Sequence, residues 1–499
     1  MTATPAVSAV LVTLAGVAAV AAFAPFGWYP LATLALAILF NQWLDDTPRR
    51  AMLHGALFGA GFFGAGISWV YISIHTFGHL HPLAAGLVTA LLIAFMSSYP
   101  ALLGYLLKRL RRVYSLPALV AAFPAGWVLS EWLRGWLFSG FPWLSIGTSQ
   151  IDGPLGGLAS LAGVPGTGLA VAASAALLVV LWRGPRRLAG LLALAGLWFG
   201  SYGLGKLEWT TPRGEALKVA LVQGNIAQEE KWAPDNLLNT LARYTEMTFE
   251  VPEIDLFVWP ETAIPAFHHQ VETDFLPHLE TQLRDHNSAL LSGIPVLDRE
   301  NWNYYNAVIT LGAEQAFYYK QHLVPFGEYL PLRWLIGSGL DALAVPNADF
   351  SAGGRGQTLL RAAGVPVSSS ICFEVVFGEQ IIRDLPEAAL LVNVSNDAWF
   401  GDSLAPHQHL EMARLRARET GRPMLRATNT GISAVIDERG DIVARSPQFE
   451  QAVVTATVTP RQGATPYVRV GNWPVVSLSL LLLVAGLMAG RSVWHRRSG

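Results

Sequence analysis

The stretch Val365-Pro366-Val367-Ser368-Ser369-Ser370-Ile371-Cys372-Phe373-Glu374 contains the only cysteine of this 499-residue chain. The residues before the cysteine are apolar, β-branched or small, and a short run of this kind is typical of a buried strand. In α/β sheets, chemically active side chains collect just beyond the carboxyl ends of strands. We therefore expect Cys372 to lie at a functional edge of a sheet.

The same pattern extends outward through residues 213–470, where short apolar runs alternate with helix-like segments. The predicted strands are Leu217–Val222, Ile254–Trp259, Ala289–Ile294, Ala307–Leu311, Ala316–Tyr319, Val365–Cys372, Ala389–Val394, Ile432–Ile436 and Val453–Val458. The predicted helices are Pro234–Thr248, Phe275–Asp285 and Ala405–Glu419. Strands that alternate with helices predict an α/β fold for this block.

The composition differs sharply between this block and the rest of the chain. Overall, 52% of the residues are apolar and only 14% are charged, against about 25% charged in a soluble domain. Residues 1–212 hold five acidic and eleven basic side chains, whereas residues 213–490 hold 31 acidic and 20 basic ones. The mildly acidic block argues against a nucleic-acid partner. A single cysteine cannot form an intrachain disulfide, so cysteine usage does not indicate a redox compartment.

The apolar runs on either side of the block are long enough to cross a membrane, which takes about 20 residues. They predict eight spans: two within residues 1–44, two within 51–107, then Leu116–Trp132, Val164–Trp182, Leu188–Leu204 and Trp473–Gly490. Breaks at Pro25–Pro30 and His75–Pro82 divide the first two pairs. The alternative for each run is a buried core helix.

The loop charges predict the orientation of these spans. Alternate loops place twelve Lys and Arg side chains on one side and two on the other, and the basic side is cytoplasmic. Both termini are then cytoplasmic, and an odd number of spans delivers the polar block to the outside. We expect a first span that is retained rather than cleaved. The predicted domains are residues 1–212, 213–470 and 471–499, the last comprising the eighth span and a basic tail.

Three polar residues follow predicted strands of the block: Glu261, Lys320 and Cys372. Each alone has an ordinary interpretation, as a loop carboxylate, a solvated lysine or a small buried cysteine. Together they supply what acyl transfer needs. The carboxylate accepts the thiol proton, and the ammonium stabilises the thiolate and later the oxyanion. This chemistry requires neither a metal nor a cofactor.

The sequence segments around these three residues resemble those of a known superfamily. Five segments resemble the nitrilase (carbon–nitrogen hydrolase) superfamily: Trp259–Ala263, Tyr319–Tyr329, Ile371–Glu374, Asn393–Gly401 and Pro406–His409. With eight spans, the chain is similar to the membrane branch of that superfamily, the bacterial apolipoprotein N-acyltransferases. The resemblance implies a membrane α-helical bundle plus a four-layer α-β-β-α nitrilase-like domain on the periplasmic face of the inner membrane.

The resemblance also implies roles for individual residues. The catalytic residues would be the base Glu261, the oxyanion-stabilising Lys320 and the nucleophile Cys372. Supporting roles fall to Glu328, Glu374 and Phe373. Phe373 stands where tyrosine is common in the family, so a phenol hydrogen bond there would be missing, although its backbone N–H could still donate to the oxyanion.

The implied partners are lipids. The acyl donor would be a phospholipid and the acceptor a diacylglyceryl-apolipoprotein, handled at the bilayer by a monomer without cofactors. The expected substrate-binding residues are Trp232, Tyr329 and Trp399. The tryptophans, Trp334 among them, have an equal alternative as core or interface residues. The apolar segment Leu330–Val345 predicts either a mobile arm that admits lipid or a core helix.

Other interpretations remain open at this level. His407 and His409 form a His-x-His pair that suits either two metal ligands or a structural role. Glu131 and Arg134, near the outer end of the fifth span, would pair with each other or with headgroups. Two rival functions also fit: a membrane-tethered amidase or nitrilase of small substrates, and a transporter or binding protein with an inactive outer domain.

Overall fold

The computed structural model describes residues 5–111, 115–184, 186–312, 314–329 and 350–489. The chain divides into two compact units. The first comprises Met1–Tyr71, His81–Leu207 and Arg469–Gly499, and the second comprises Ile72–Leu80 and Glu208–Val468. The predicted arm at Leu330–Val345, Trp334 within it, and the basic tail lie outside the described residues.

The described part of the first unit is helical. Its long helices are Pro5–Val20, Pro30–Asp45, Pro48–Gly66, Pro82–Leu110, Leu116–Arg134, Ala159–Arg183, Arg187–Leu204 and Trp473–Met488. Short 3₁₀ turns cover Leu137–Ser139, Ile146–Gln150 and Pro154–Leu158. Each long helix coincides with one of the eight predicted apolar runs, and prolines stand in the first turn of most of them because the missing N–H is not needed there.

By length and composition, three described helical segments could each cross a membrane: Pro82–Leu110, Pro154–Arg183 and Arg187–Leu204. The bent pair Pro48–Gly66 and Val70–Phe77 could form a fourth span. Ala6–Val20 and Trp473–Met488 are apolar but shorter. The described residues therefore contain three or four candidate membrane spans, and the full count of eight remains a prediction.

Glu131 and Arg134 bind a loop more closely than they bind each other. Their nearest charged atoms are 4.0 Å apart. Arg134 Nη1 donates to the carbonyls of Phe141 at 2.9 Å and Trp143 at 2.5 Å, and Glu131 accepts from the Ile146 N–H at 2.9 Å. The two residues thus form the predicted salt bridge and also satisfy the backbone of the buried loop that follows.

The second unit is built from strands. They are β1 Thr210–Pro212, β2 Leu217–Gln223, β3 Leu256–Val258, β4 Ala289–Asp298, β5 Asn303–Leu311, β6 Phe317–Tyr319, β7 Leu360–Ala362, β8 Val365–Ile371, β9 Leu390–Ser395, β10 Met424–Thr428, β11 Ala434–Ile436, β12 Ile442–Arg445, β13 Ala452–Val458 and β14 Arg461–Gly463. One six-stranded sheet has the order β13-β2-β3-β4-β5-β6, and the other has the order β12-β11-β10-β9-β8-β7. Strands β1 and β14 form a separate antiparallel pair.

The helices of this unit lie outside the two sheets. They are Leu237–Phe249, His268–Val271, Phe275–Asp285, Gly378–Ile381, Ala405–Thr420 and Pro466–Val470, with 3₁₀ turns at Pro234–Asn236, Cys372–Val376, Ile382–Asp384 and Asp397–Phe400. The π-helix Ser73–Phe77 also belongs to this unit.

Strand periodicity explains the layering, because successive side chains point to opposite faces. In β2, Val219 and Leu221 join the core between the two sheets, whereas Ala220 and Val222 join a second core. That second core packs against the helices Leu237–Phe249 and Phe275–Asp285, while Ala405–Thr420 packs against β10 and β11 of the other sheet. Central strands are therefore covered on both faces, which is why they read as continuous apolar runs. The result is the α-β-β-α order that the resemblance implied.

Some strand predictions were wrong in detail. The predicted strand Ile432–Ile436 begins only at Ala434, and the strands β7, β10 and β12 were not predicted. The largest omission is β10, because it occupies the middle of its sheet between β9 and β11.

Candidate active site

Three strand ends bring Glu261, Lys320 and Cys372 into one site. Glu261 follows β3 and Lys320 follows β6, both in one sheet, whereas Cys372 follows β8 in the other sheet. Lys320 Nζ lies 3.7 Å from Glu261 Oε1, and both residues act electrostatically on the Cys372 thiol. Lys320 is 1% exposed and Glu261 is 8% exposed. A carboxylate, an ammonium and a thiol thus share a buried region between the two sheets.

The carboxylate of Glu261 is held from both sides. Asn306 Nδ2 donates to Oε1 at 2.7 Å, and the backbone N–H of Asn396 donates to Oε2 at 2.8 Å. The turn that carries Glu261 also approaches Gly293 closely, because a Cβ there would lie 2.6 Å from Glu261 Cα. Only glycine fits at that point. Both oxygens of the carboxylate are therefore fixed before any substrate binds.

Glu328 fixes the ammonium of Lys320. Lys320 Nζ donates to Glu328 Oε1 at 2.7 Å, and Glu328 Oε2 accepts from the Val324 N–H at 2.8 Å. Burial by itself would lower the pKa of Lys320, but Glu328 and Glu261 raise that pKa above its usual value. Lys320 therefore stays charged at neutral pH.

Cys372 sits on a strained turn with a neutral thiol. Its φ of 52° lies in the left-handed region, which side chains other than glycine rarely adopt. Burial and the Glu261 carboxylate raise the pKa of the thiol to about 12, because Lys320 and the Ser395 hydroxyl offset them only in part. The thiol therefore needs a base at the moment of attack, and Glu261 is the carboxylate that acts on it most strongly.

This pKa makes a direct prediction for the isolated protein. In detergent without lipid, we expect alkylation of Cys372 by iodoacetamide to accelerate by about tenfold per pH unit above about pH 8, without a plateau near the ordinary thiol pKa of about 8.5. The denatured protein is the control, and its alkylation profile should level off near about pH 8.5.

The raised pKa also affects folding stability. Between about pH 8.5 and about pH 12 the folded thiol keeps a proton that the unfolded one has lost, so this group lowers folding stability as pH rises. A plateau near pH 9 in the folded protein would contradict the assignment.

Glu374 braces the segments that carry Lys320 and Cys372. Its fully buried carboxylate accepts from five donors, which are the N–H groups of Gln321, His322 and Ile371, the Tyr318 hydroxyl and the Gln380 amide. Phe373 packs edge-on against Phe377, with ring centroids 5.1 Å apart. These contacts are consistent with the supporting roles that the resemblance implied for both residues.

Replacing Glu374 with glutamine should destabilise the protein. The amide would turn an NH₂ group toward N–H and O–H donors, and buried donors left without acceptors should lower the free energy of unfolding by about 3 kcal/mol. Thermal unfolding in detergent measures this loss. The exposed Glu387→Gln variant is the matched control and should unfold at the wild-type temperature. Equal melting temperatures for the two variants would show that the hydrogen bonds of Glu374 do not stabilise the protein.

The three aromatic residues that the sequence suggested for substrate binding lie beside residues of the site. Trp232 is 50% exposed and follows the buried Lys231. Tyr329 follows Glu328, and its carbonyl accepts from the Phe326 N–H at 2.8 Å.

Trp399 belongs to the 3₁₀ turn Asp397–Phe400. Its ring meets Phe77 edge-on with centroids 5.8 Å apart, and its carbonyl accepts from Ser73 Oγ at 2.7 Å. A substrate-binding role for the three aromatic residues is a prediction from the sequence.

Sequence reasoning missed Lys231 and Asn306. Lys231 is 4% exposed and its Nζ donates to the backbone carbonyl of Glu261 at 3.0 Å. Burial lowers the pKa of Lys231 to about 8, although Glu261 and Cys372 favour its charged form. Asn306 lies within β5, and Lys231 stands eight residues after the end of β2, so no local sequence signal singles out either residue.

The His-x-His pair does not resemble a metal site. Among the described residues, no group of three or more His, Cys, Asp or Glu side chains is arranged to hold a metal ion. His409 is fully buried and contacts Asp397 and the carbonyl of Cys372, whereas His407 is partly exposed.

Comparisons with known proteins agree with this arrangement. Residues 15–177 match the apolipoprotein N-acyltransferase N-terminal domain, and residues 218–467 match the carbon-nitrogen hydrolase family. The apolipoprotein N-acyltransferase of Methylococcus capsulatus is 48% identical over 91% of this chain and 90% of its own length. That of Nitrosomonas europaea is 45% identical over 93% of this chain and 94% of its own.

A third relative, the apolipoprotein N-acyltransferase of Pseudomonas syringae pv. tomato, is 41% identical over 93% of this chain and 94% of its own length. The similarity therefore covers the helical unit and the two-sheet unit together, which a tethered amidase of small substrates would not require. The chain belongs to the apolipoprotein N-acyltransferase family.

Proposed function

We propose that this enzyme moves a fatty acyl chain from a phospholipid, through a thioester on Cys372, to the α-amine of the N-terminal diacylglyceryl-cysteine of an apolipoprotein. The observation that carries the proposal is the convergence of Glu261, Lys320 and Cys372 from three strand ends. Relatives named for this activity, matched along more than nine-tenths of the chain, support the substrates.

The first half-reaction forms the thioester. Glu261 takes the proton of the Cys372 thiol while the sulfur attacks the ester carbonyl of the phospholipid, and a tetrahedral oxyanion results. Lys320 stabilises that oxyanion, together with the backbone N–H of Phe373. As the C–O bond breaks, Glu261 returns the proton to the oxygen of the leaving lysophospholipid.

The second half-reaction consumes the thioester. The neutral α-amine of the diacylglyceryl-cysteine attacks the thioester carbonyl, and the C–S bond breaks as the amide forms. Glu261 takes one amine proton and passes it to the departing thiolate, which restores the starting state. Because the donor product leaves before the acceptor reacts, the proposed kinetics are ping-pong.

The proposed location follows from the substrates and the loop charges. Each acyl chain gains about 0.8 kcal/mol per CH₂ buried in lipid, so neither substrate leaves the bilayer readily. We propose eight spans in the inner membrane, both termini in the cytoplasm, the polar block in the periplasm, and a monomer that works at the level of the headgroups. The bias of twelve against two basic loop residues supports this orientation.

Trp232, Tyr329 and Trp399 are proposed to contact the lipid substrates. The positions of two of them support this role, because Trp232 follows Lys231 and Tyr329 follows Glu328, which contact Glu261 and Lys320. Large aromatic side chains with one polar atom suit a site that holds an acyl chain and a polar headgroup together. A closed site also keeps water from the thioester, which would otherwise be hydrolysed.

The test is to incubate the purified enzyme with phospholipid alone and to weigh the peptide that contains Cys372 under conditions that preserve thioesters. We expect the mass of one fatty acyl group on Cys372, removed when a diacylated lipopeptide with a free amine is added. An N-acetylated lipopeptide is the control and should leave the thioester in place. An unmodified cysteine in an enzyme that hydrolyses small amides would replace this proposal with a tethered amidase.

A further inference from the structure

Two motifs outside the catalytic trio, Asn393–Gly401 and Pro406–His409, both contact the backbone carbonyl of Cys372. His409, on the helix Ala405–Thr420, is 0% exposed, and its Nε2 lies 3.2 Å from the carbonyl oxygen of Cys372. Asn393, in β9, donates from Nδ2 to the same oxygen at 3.3 Å. The carbonyl of the nucleophile is thus held by two side chains from other elements of the fold.

The neighbours of His409 place a proton on its Nε2. A carbonyl only accepts hydrogen bonds, so Nε2 must carry the proton that it donates to Cys372. Nδ1 lies 2.9 Å from Arg426 Nη2, which only donates, and 3.1 Å from Asp397 Oδ1, which only accepts, so Nδ1 faces one group of each kind. Burial and the charge of Arg426 lower the pKa of His409, which Asp397 offsets only in part. The Nε2–H that faces the Cys372 carbonyl is therefore present whether or not Nδ1 also carries a proton.

Arg426 joins these groups into one network. Its Nη2 donates to Asp397 Oδ2 at 2.8 Å and its Nη1 donates to Asn393 Oδ1. Burial would raise the pKa of Asp397, but Arg426 and His409 hold it well below its usual range, so this carboxylate does not compete with Glu261 for the thiol proton. Ser395 donates its hydroxyl hydrogen to Asp397 Oδ1 at 2.8 Å.

Holding the Cys372 carbonyl in place also determines the direction of the neighbouring Phe373 N–H. Cys372 has a left-handed φ of 52°, a conformation that the surroundings must maintain. The peptide between Cys372 and Phe373 is trans and planar, so the Phe373 N–H points opposite to the Cys372 carbonyl. Whatever fixes the carbonyl therefore also aims the N–H that the proposed mechanism gives to the oxyanion.

We infer that His409 is a positioning residue, which fixes the Cys372–Phe373 peptide so that the thiol and the adjoining N–H face the reacting carbonyl together. This inference rests on the proposed role of Cys372 as nucleophile. It gives a function to the Asn393–Gly401 and Pro406–His409 motifs, which the catalytic trio leaves unexplained.

The experiment compares His409→Met, which has no donor, with His409→Gln, which is similar in size and keeps an N–H. The rate of acyl-enzyme formation from phospholipid is measured by mass spectrometry and normalised to folded enzyme. We expect kcat of the methionine variant to fall by about 100-fold, the cost of a misplacement of roughly 1 Å, with KM within about twofold. The glutamine variant should recover to within about fivefold of wild type. His407→Met, two residues away on the same helix, is the control and should react at the wild-type rate.

A structural role alone would produce a different pattern. His409→Met would then melt at a lower temperature, yet its folded fraction would react within about threefold of wild type and the glutamine variant would give no rescue. That result would overturn the inference. If the methionine variant does not fold, His409→Asn, which is polar but too short to reach the carbonyl, takes its place with the same expected loss. Wild-type enzyme that forms no acyl-cysteine would refute the proposed function instead, so the two failures are distinct.

Discussion

Replacement of Cys372 with alanine should abolish acyl transfer, with kcat falling by roughly a millionfold and the acyl-enzyme disappearing. The thiol is the only group in the site that can form the thioester, and Lys320 and Glu261 are already held by Glu328 and Asn306 without it. Cys372→Ser should be nearly as inactive, because a hydroxyl is a weaker nucleophile and its ester is a poorer acyl donor to an amine.

The alanine variant also provides its own folding control. Alanine keeps the Cβ of cysteine, so the strained φ at this position is as costly as in wild type, and melting temperatures should agree closely. Transfer is measured as triacylated lipopeptide formed from phospholipid and diacylated lipopeptide. Retention of one part in about a hundred of wild-type activity by Cys372→Ala would eliminate the covalent mechanism.

Replacement of Glu261 with glutamine should lower kcat and should also change the pH dependence of thiol alkylation. Loss of the general base should lower kcat by about 1,000-fold. The glutamine oxygen can still accept from Asn306 Nδ2, whereas the Asn396 N–H loses its acceptor, so thermal unfolding is measured beside the activity. Since the Glu261 charge raises the pKa of Cys372, its removal should also shift the pH profile of thiol alkylation downward.

The measurement pairs the transfer assay with alkylation by iodoacetamide across the alkaline range. The exposed Glu300→Gln variant is the control and should leave both profiles unchanged. A Glu261→Gln enzyme that transfers at the wild-type rate would exclude the carboxylate as the base. One that is inactive but has an unchanged alkylation profile would mean that Glu261 does not act on the thiol.

Strand β10, one of the strands that were not predicted, differs in composition from those that were. Strands such as β2, β8 and β9 are mostly buried and consist largely of apolar, β-branched or small residues, so their pattern predicts them. Strand β10 has the sequence Met-Leu-Arg-Ala-Thr and is also fully buried, but Arg426 interrupts the run. A buried arginine is unfavourable unless it is paired. Its partners, Asp397 and Asn393, come from another part of the chain, so the strand could not be predicted locally.

The sequence by itself determined the class of chemistry. The apolar runs indicated a membrane protein, the alternation of strands and helices indicated an α/β domain, and the strand-end rule brought Glu261, Lys320 and Cys372 together as candidates. These inferences depend on composition, periodicity and residue type, which are local properties of the chain.

Only the tertiary structure decided which side chains hold those three in place. Lys231, Asn306 and His409 lie far from Cys372 in sequence and resemble ordinary loop, strand and helix residues. Their importance comes from single hydrogen bonds to Glu261 or to the Cys372 carbonyl. Hydrogen bonds of about 3 Å between distant segments require the two sheets to be paired and packed first. A buried polar group then acquires its partner, and with it a function, from the fold and not from its neighbours in sequence.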